Sequence, residues 1–328
     1  IVTPFEAVTG MYSLPGRHDI DPTAILAPFY FLFFGLMLSD AAYGLILTTL
    51  CAIILKKYKP EGTTHRMIKM FMFCGLSTFM WGALFGGWFG NFFTVAAKTF
   101  FGKEFVIKPL WFDPLSEPMR LLVVSLILGA VHLFVGMGVQ AYMDIKDGRP
   151  LDALFDIGLW YLLLIGIVLF AFGGKLGAGA VGIGKIMAIV GAVGILLTGG
   201  RKKKGIFGKL TGGLGSLYGI TSYLSDVLSY SRLLALGLAT GVVAQVFNTL
   251  GSLAGGGIAG SILLIVVFAF GTVFNIAINA LGAFVHSCRL QYVEFFGKFY
   301  TGGGRPFAPF ERKTKYIKIL KEGNDNVK

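Results

Sequence analysis

Long apolar segments follow one another along the 328 residues of this chain. The clearest of them lie at 67–95, 118–143, 153–173, 181–199, 217–250 and 258–298. A helix of about 20 apolar residues is long enough to cross the hydrocarbon core of a lipid bilayer. The composition agrees, since 55% of the residues are hydrophobic and only 14% are charged. The sequence therefore predicts an all-α polytopic membrane protein and excludes a water-soluble globule.

The first apolar segment, 24–55, is longer than an upright membrane helix. As one helix it would measure about 48 Å, whereas the hydrocarbon core is about 30 Å thick. Its middle carries the small and polar residues of Ser39–Gly44. Two interpretations are open: one strongly tilted helix, or a tight hairpin of two short helices in which Asp40 has a turn or capping role.

The distribution of Lys and Arg separates these interpretations. Basic residues are concentrated on alternate loops, with five in 56–69, two in 144–152, five in 201–209 and eight in the tail from Lys298. The other loops hold three in 96–117, two in 174–185 and none in 251–257. By the positive-inside rule this asymmetry predicts a cytoplasmic C-terminus. If the N-terminal side is cytoplasmic too, the number of crossings is even, which favours the hairpin and about eight transmembrane helices.

The net charge of +12 follows from the same loops, so it predicts membrane topology rather than nucleic-acid binding. The chain starts at Ile1 without an initiator Met or a signal peptide, and we expect it to be the C-terminal part of a longer protein. The expected organisation is a polar segment at 1–23 that leads in from an N-terminal cytosolic domain, a transmembrane domain at 24–298 and a cytoplasmic tail at 299–328.

One membrane-length segment carries an arginine, Arg232, near its middle. A charge at the bilayer centre costs about 2.5–3.5 kcal/mol on insertion scales, so such residues face a bundle interior or an aqueous cavity. Helical spacing puts Arg232 on one face with three serines, Ser222, Ser225 and Ser229. Asp226 points about 120° away from Arg232 and is not its partner within the helix. Small residues beyond the arginine keep the helix slim enough for another surface to approach: Ala235, Gly237, Ala239, Gly241 and Ala244.

The last apolar segment carries a second polar face. Asn275, Asn279, His286 and Arg289 fall within about 80° on a helical wheel, and Glu294 follows toward the predicted cytoplasmic end. As a helix, 260–299 would measure about 60 Å, so the last two helices must be long and steeply tilted or extend beyond the bilayer.

Simpler roles stay open for these side chains. Arg232 would then be a buried packing charge and Arg289 a side chain that reaches the membrane surface. His132, in the segment 118–143, is either a proton relay or, more simply, a partner in a hydrogen bond between helices.

Arginine chemistry limits what Arg232 can do. The guanidinium is not deprotonated in proteins, so it cannot relay protons, but it attracts a carboxylate and lowers its pKa by about one to three units. It also repels cations. The last two helices offer only Asp226 and Glu294 for such a role, so the partner carboxylate is expected on another subunit. No metal-ligand spacing or cofactor fingerprint is found, and we expect no cofactor.

At this point the motifs resemble a family. They are Ile20–Thr23, Phe33–Gly44, Ser229–Leu236, His286–Phe295, Lys298–Tyr300 and Phe307–Phe310. Together they resemble the membrane half of subunit a/I of V-type and A-type rotary ATPases. The bacterial or archaeal form, subunit I, is closer than the eukaryotic one, because Tyr223–Asp226 stands where the eukaryotic form has a histidine-containing stretch.

The resemblance implies an ion-translocating stator in the prokaryotic cell membrane, with ATP hydrolysis or synthesis on other subunits and no enzymatic activity of its own. Its partners would be a rotor ring of proteolipid c/K subunits, peripheral stalk subunits reached through the N-terminal domain, and the lipid bilayer. Arg232 would separate two half-channels and lower the pKa of the rotor carboxylate, with Arg289 in support. The half-channels would be lined by Ser222, Ser225, Asp226, Ser229, Asn275, Asn279, His286 and Glu294.

Asn279 stands where eukaryotic members have a glutamate, and an amide cannot exchange protons as a carboxylate does, so the translocated ion is either H⁺ or Na⁺. Two other functions compete with the stator. In an ion-coupled secondary transporter, Arg232 would bind an anionic substrate, although no matching pair of broken helices is seen. A purely structural membrane anchor would leave the two polar faces without a purpose.

Overall fold

The computed structural model describes residues 2–16, 19–101, 107–172, 178–201, 206–253 and 257–305. Within these ranges the chain is helical, without β-strands, which confirms the predicted all-α class. The α-helices are α1 (Glu6–Tyr12), α2 (Thr23–Leu38), α3 (Ala41–Tyr58), α4 (Gly62–Phe85), α5 (Phe92–Phe101), α6 (Pro118–Lys146), α7 (Pro150–Ala153), α8 (Leu159–Phe172), α9 (Ala178–Thr198), α10 (Ile206–Ser229), α11 (Ser231–Ser252), α12 (Ile258–Arg289) and α13 (Phe296–Phe299). Two π-helical segments, Leu154–Gly158 and Leu290–Phe295, join α7 to α8 and α12 to α13.

In the described part of the chain, 7 helical segments are long and apolar enough to cross a membrane. Helix α2 is a shorter apolar helix of 16 residues, and with it the predicted total of about eight is reached. The last two segments, Thr211–Ser252 and Gly260–Phe299, are 42 and 40 residues long. At 1.5 Å per residue both exceed a hydrocarbon core of about 30 Å, as predicted.

The first apolar segment is broken at Ser39 and Asp40. Ser39 adopts the left-handed conformation with φ 35°, and the Asp40 side chain caps α3 by accepting hydrogen bonds from the backbone N–H groups of Ala42 and Tyr43. Both halves pack on α4, with Gly35 of α2 against Ser77 and Gly44 of α3 against Phe79. The chain therefore reverses at this point, and the hairpin interpretation is confirmed over the single tilted helix.

The predicted segment 67–95 proves to be two helices. Helix α4 ends at Phe85 because Gly86 takes the left-handed conformation, with φ 73°, and the chain restarts as α5 after a short loop. Inside α4, Gly82 leaves no room for a Cβ against the backbone of Ala41, so α3 and α4 approach closely there.

The N-terminal and C-terminal segments meet at one end of the molecule. The Tyr300 hydroxyl donates to the carbonyl of Ser13 at 2.8 Å, and the Gly302 N–H donates to the Asp19 carboxylate at 2.8 Å. Gly304 forms an antiparallel bridge with Leu14. Two chain ends on the same side require an even number of crossings, which agrees with eight. The side of the membrane on which they lie stays a prediction.

Helix α2 forms the centre of the main core. Its side chains are large and apolar around the whole circumference, and Phe33, Leu36 and Met37 are fully buried. It packs on α4, α11 and α12 and so supports the helix that carries Arg232. A second core, around Met137 and Trp160, joins α6 to α8 and α9. Residues 306–328, most of the predicted tail, lie outside the described ranges, and the predicted domain limits stay predictions.

Candidate functional site

The helix that carries Arg232 tightens two residues before the arginine. The Tyr230 N–H bonds to the carbonyl of Val227 at 3.1 Å, and the Leu233 N–H bonds to the carbonyl of Tyr230 at 3.0 Å. Both bonds span three residues, so this turn has 3₁₀ geometry. The predicted segment 217–250 is therefore not one regular helix, and α10 and α11 meet at Tyr230 with Arg232 in the first turn of α11.

The side chain of Tyr230 is held by α6. Its hydroxyl lies 2.7 Å from Nδ1 of His132, and both residues are fully buried. Gly129 of α6 lies against the Tyr230 ring and leaves no space for a Cβ. His132 is thus an interhelical hydrogen-bond partner, the simpler of the two roles open to it, and it fixes the turn from which Arg232 projects.

The helix opposite Arg232 is irregular as well. Directly after Arg289 the chain follows a π-helix, Leu290–Phe295, whose wider turns change the direction of the side chains that follow. Single π-helical turns inside α-helices occur frequently at functional sites. Two side chains of this segment, Gln291 and Glu294, are turned inward and buried.

Glu294 lies next to Arg232. The distance from Glu294 Oε1 to Arg232 Nη1 is 3.9 Å, and the Ser229 hydroxyl donates a hydrogen bond to the same carboxylate oxygen. The Glu294 side chain is 4% exposed and that of Arg232 is 20% exposed. We expected the carboxylate that answers Arg232 on another subunit, but the chain supplies one of its own.

Several buried polar atoms at this junction have no hydrogen-bond partner. Among the described residues they are Arg232 Nη1, Glu294 Oε2, His132 Nε2, His286 Nδ1 and both polar side-chain atoms of Gln291. A buried polar atom without a partner costs about 1–3 kcal/mol, and each such atom in a native protein requires an explanation. The site therefore lacks hydrogen bonds in the interior of a membrane protein, where no bulk water is available to supply them.

The two arginines have different surroundings. Arg289 is exposed and shares the outer face of α12 with exposed Leu281 and Val285. It lies close enough to Arg232 for the two positive charges to repel each other, and both guanidinium groups also disfavour a positive charge on His286. Arg232 is thus held inside the protein between α11 and α12, and Arg289 stands at the surface beside it.

Asp226 belongs to a separate ion pair. Its carboxylate lies 2.5 Å from Nζ of Lys298, and this ammonium group also lies 4.2 Å from the centre of the Tyr223 ring. The prediction that Asp226 does not pair with Arg232 agrees with this geometry. The predicted serine face divides: Ser229 bonds to Glu294, whereas Ser222 and Ser225 are exposed.

Asn275 and Asn279 form a buried amide cluster in the middle part of α12, before Arg289 in the chain. The Asn275 amide donates to the Tyr43 hydroxyl at 3.0 Å and to the Thr240 carbonyl at 3.1 Å. The Asn279 amide donates to the Asn275 carbonyl at 3.1 Å. These bonds tie α12 to α3 and α11, so the two asparagines lie inside the bundle and not on the outer face with Arg289.

The slim side of α11 is partly used within the chain. A Cβ at Gly237 would lie 3.1 Å from the Leu36 carbonyl oxygen, and Gly241 packs against Leu115. Ala235 and Ala239 remain exposed. A cavity of about 210 Å³ lies beside this part of α11, and its lining includes Asp40, Asn91, Gly237, Gly241 and Gln245. Within the described ranges, no three His, Cys, Asp or Glu side chains come together to hold a metal ion.

Comparisons with known proteins find a family model and several relatives that are similar to this chain. A family model described as the V-type ATPase 116kDa subunit family matches residues 220–312, which include all of the predicted site residues. The A-type ATP synthase subunit I of Methanocaldococcus jannaschii is 35% identical over 347 residues, covering 96% of this chain and 48% of the relative. The corresponding subunit of Thermococcus kodakarensis is 37% identical, covering 96% of this chain and 47% of the relative.

A more distant relative, the V-type ATP synthase subunit I of Chlamydia trachomatis, is 23% identical and covers 94% of this chain and 54% of its own length. The chain thus spans about half the length of the curated relatives that it matches.

Proposed function

Because this chain belongs to the V-type ATPase 116 kDa subunit family, we propose that it is the ion-translocating stator of a rotary ATPase. Its relatives bear the names A-type and V-type ATP synthase subunit I, so a membrane subunit of a rotary complex is the coarse function. The finer proposal is that Arg232 separates two half-channels and lowers the pKa of a carboxylate on a rotor ring. ATP chemistry would take place on other subunits.

The observation that carries this proposal is the position of Arg232. It is a permanent charge in a membrane-length helix, its side chain is 20% exposed, and its buried Nη1 has no hydrogen-bond partner. A guanidinium in that state attracts a second carboxylate that arrives from outside and favours its ionised form, so a bound proton or cation leaves. It also blocks cations from passing directly between the two ends of the site.

The order of polar groups along α10 and α11 supports two separate paths. Ser222, Ser225 and the Asp226–Lys298 pair precede Arg232 along the helix axis. The cavity that includes Gly241 and Gln245 follows it, at the opposite end. Arg232 lies between the two sets, where it would separate an aqueous path from each side. Asn275, Asn279 and His286 would contribute to these paths from α12.

The rotor would pass along the outer faces of α11 and α12. These faces carry exposed apolar side chains, among them Val242, Val246, Ile278 and Leu281, which suit a ring of proteolipid c/K subunits in the bilayer. Arg289 lies on the same face and would support Arg232. We further propose a prokaryotic cell-membrane location with a cytoplasmic C-terminus, and contact with the peripheral stalk through an N-terminal cytosolic domain.

The test is Arg232→Ala in the full-length subunit within the intact complex, in sealed vesicles. ATP-driven ion uptake should be abolished while the complex still assembles. The matched control is Arg120→Ala, which removes an exposed arginine paired with Glu117 at 2.8 Å. Normal uptake by the Arg232 variant would contradict the mechanism.

Two further measurements separate the alternatives. A proteolipid ring should co-purify with the subunit in mild detergent, whereas a secondary transporter would purify without one. Dependence of ATP hydrolysis on Na⁺ in sealed vesicles identifies the ion, since indifference to Na⁺ at low concentrations indicates protons.

A further inference from the structure

We propose that Glu294 is the internal counter-ion of Arg232. Glu294 pairs with the arginine during the interval after one rotor carboxylate has left and before the next arrives, and each arriving carboxylate displaces it. The inference rests on the proposed function and adds a second carboxylate to it. The ion pair of the stator would then open and close once for each rotor subunit that passes. Ser229 is a positioning residue in this arrangement.

The first argument is the distance within the pair. At 3.9 Å, the Arg232 and Glu294 atoms attract each other but are too far apart for a hydrogen bond. An arginine and a carboxylate that formed a structural pair would meet closely, commonly through two parallel hydrogen bonds. Here Oε1 accepts the Ser229 hydroxyl and Oε2 has no partner. The pair is therefore formed electrostatically but not closed.

The second argument is burial. Glu294 is almost completely buried, and a buried carboxylate without a positive partner is costly. Arg232 supplies the compensating charge without being tied to it, because its Nη1 has no hydrogen-bond partner. Arg232 can therefore turn toward a carboxylate at the outer face without first breaking a hydrogen bond to Glu294.

The third argument is the absence of a competing anion among the described residues near Arg232. Asp226, the other carboxylate on these helices, is held by Lys298 at 2.5 Å. The other charged or titratable groups that interact with Arg232 are Arg289 and His286, and neither is a carboxylate. Among the described residues, Glu294 is thus the anionic group that sets how strongly Arg232 attracts a rotor carboxylate.

The mechanism follows from charge balance. The negative charge of Glu294 offsets part of the positive charge of Arg232, so an arriving rotor carboxylate binds weakly enough to leave again. If Glu294 were neutral, Arg232 would hold the rotor carboxylate more firmly and lower its pKa further. Rotation would then slow because each release from Arg232 takes longer.

The experiment measures the rotor carboxylate directly. In the intact complex, a carbodiimide labels the protonated rotor carboxylate, and mass spectrometry of the rotor peptide gives the pH at which labelling is half complete. For Glu294→Gln we expect this midpoint to fall by about one pH unit, and ATP-driven ion uptake to fall several-fold with assembly unchanged. The matched control is Glu117→Gln, at an exposed pair with Arg120, which should leave both unchanged.

Ser229→Ala supplies a second variant with the opposite sign. Without the serine hydroxyl, Oε1 is free to close on Arg232, the arginine is more fully neutralised, and the labelling midpoint should rise. This variant removes no charge, so it keeps the proposal testable if Glu294→Gln does not assemble.

Labelling midpoints equal to that of the parent complex in the assembled variants would overturn the role of Glu294. That result leaves the proposed function standing, since the latter depends on loss of ion uptake in Arg232→Ala. Uptake by Arg232→Ala would overturn the proposed function itself, whatever the midpoints are.

Discussion

Two polar clusters lie along α12 and the π-helix Leu290–Phe295 that follows it, and they are built in opposite ways. In the amide cluster of Asn275 and Asn279, the amides donate to Tyr43, Thr240 and Asn275 itself. In the charged cluster of Arg232, Ser229 and Glu294, one guanidinium nitrogen and one carboxylate oxygen are buried without a partner. The amide cluster has the form of a structural contact between helices, whereas the charged cluster keeps hydrogen-bonding capacity that another group could use.

Local backbone geometry accounts for the difference. The amide cluster lies in a regular α-helix, where residues four apart meet on one face. The charged cluster lies where α10 tightens at Tyr230 and where α12 widens into the π-helix Leu290–Phe295. Native proteins keep such irregular, under-satisfied geometry mainly at functional sites. Along α12 and the π-helix that follows it, the completeness of hydrogen bonding therefore separates the structural cluster from the candidate site.

The largest expected effect that tests this comparison is the loss of stability in Asn275→Ala. The substitution leaves the Tyr43 hydroxyl and the Thr240 carbonyl without their amide donor. A buried group left unpaired costs about 1–3 kcal/mol, so the melting temperature of the full-length subunit should fall. Cys51, Cys74 and Cys288 are buried free thiols, so a thiol-reactive dye reports the transition.

The same variant also tests the proposed half-channel role of the asparagines. Thr249→Ala, at an exposed position of α11, is the control and should melt like the parent. If Asn275→Ala keeps its melting temperature but loses ion uptake, the amide belongs to the ion path and the comparison fails. If stability falls and uptake per assembled complex persists, the amide cluster is scaffold.

The next effect concerns Arg289, which stands outside both clusters. Because Arg289 lies outside the cluster of Ser229, Arg232 and Glu294 and only supports Arg232, we expect Arg289→Ala to reduce ion uptake by about two- to fivefold, against abolition in Arg232→Ala. Uptake in sealed vesicles measures both variants side by side. A loss in Arg289→Ala that equals or exceeds that of Arg232→Ala would show that the ranking of the two arginines is wrong.

Much of the fold could be predicted from the sequence, whereas the contrast between the two clusters could not, and this limit has a physical cause. Apolar length and basic loops predicted the helices and the hairpin at Asp40, because both depend on local properties of the chain. The pairing of Glu294 with Arg232 was not predicted. A helical wheel assumes 100° per residue, and the π-helical turns before Glu294 and the tight turn at Tyr230 both depart from that value. The distance between two helices is set by packing, through Gly129 and His132, and no single helix encodes it.

The smallest expected effect is at Asp19, a carboxylate with a full set of donors outside the membrane segments. Burial acts to raise its pKa, but hydrogen bonds from the Thr301 hydroxyl and from the N–H groups of Gly16 and Gly302 hold the pKa below its ordinary value. A lowered pKa in the folded state stabilises the protein above the unfolded pKa of about 3.9, and this stabilisation is lost as pH falls through the folded value.

Asp19→Asn should therefore lower the melting temperature slightly at pH 6, by no more than about 3 °C, and the difference from the parent should narrow as pH approaches 3. Tryptophan fluorescence during heating measures it, with Asp147→Asn, an exposed partner of Arg149, as the control. A difference that stays constant with pH would mean that the Asp19 hydrogen bonds do not favour its ionised form. Asp19 and Glu294 would then differ in burial alone, because a complete set of hydrogen-bond donors would not by itself distinguish a structural carboxylate from one that takes part in ion transport.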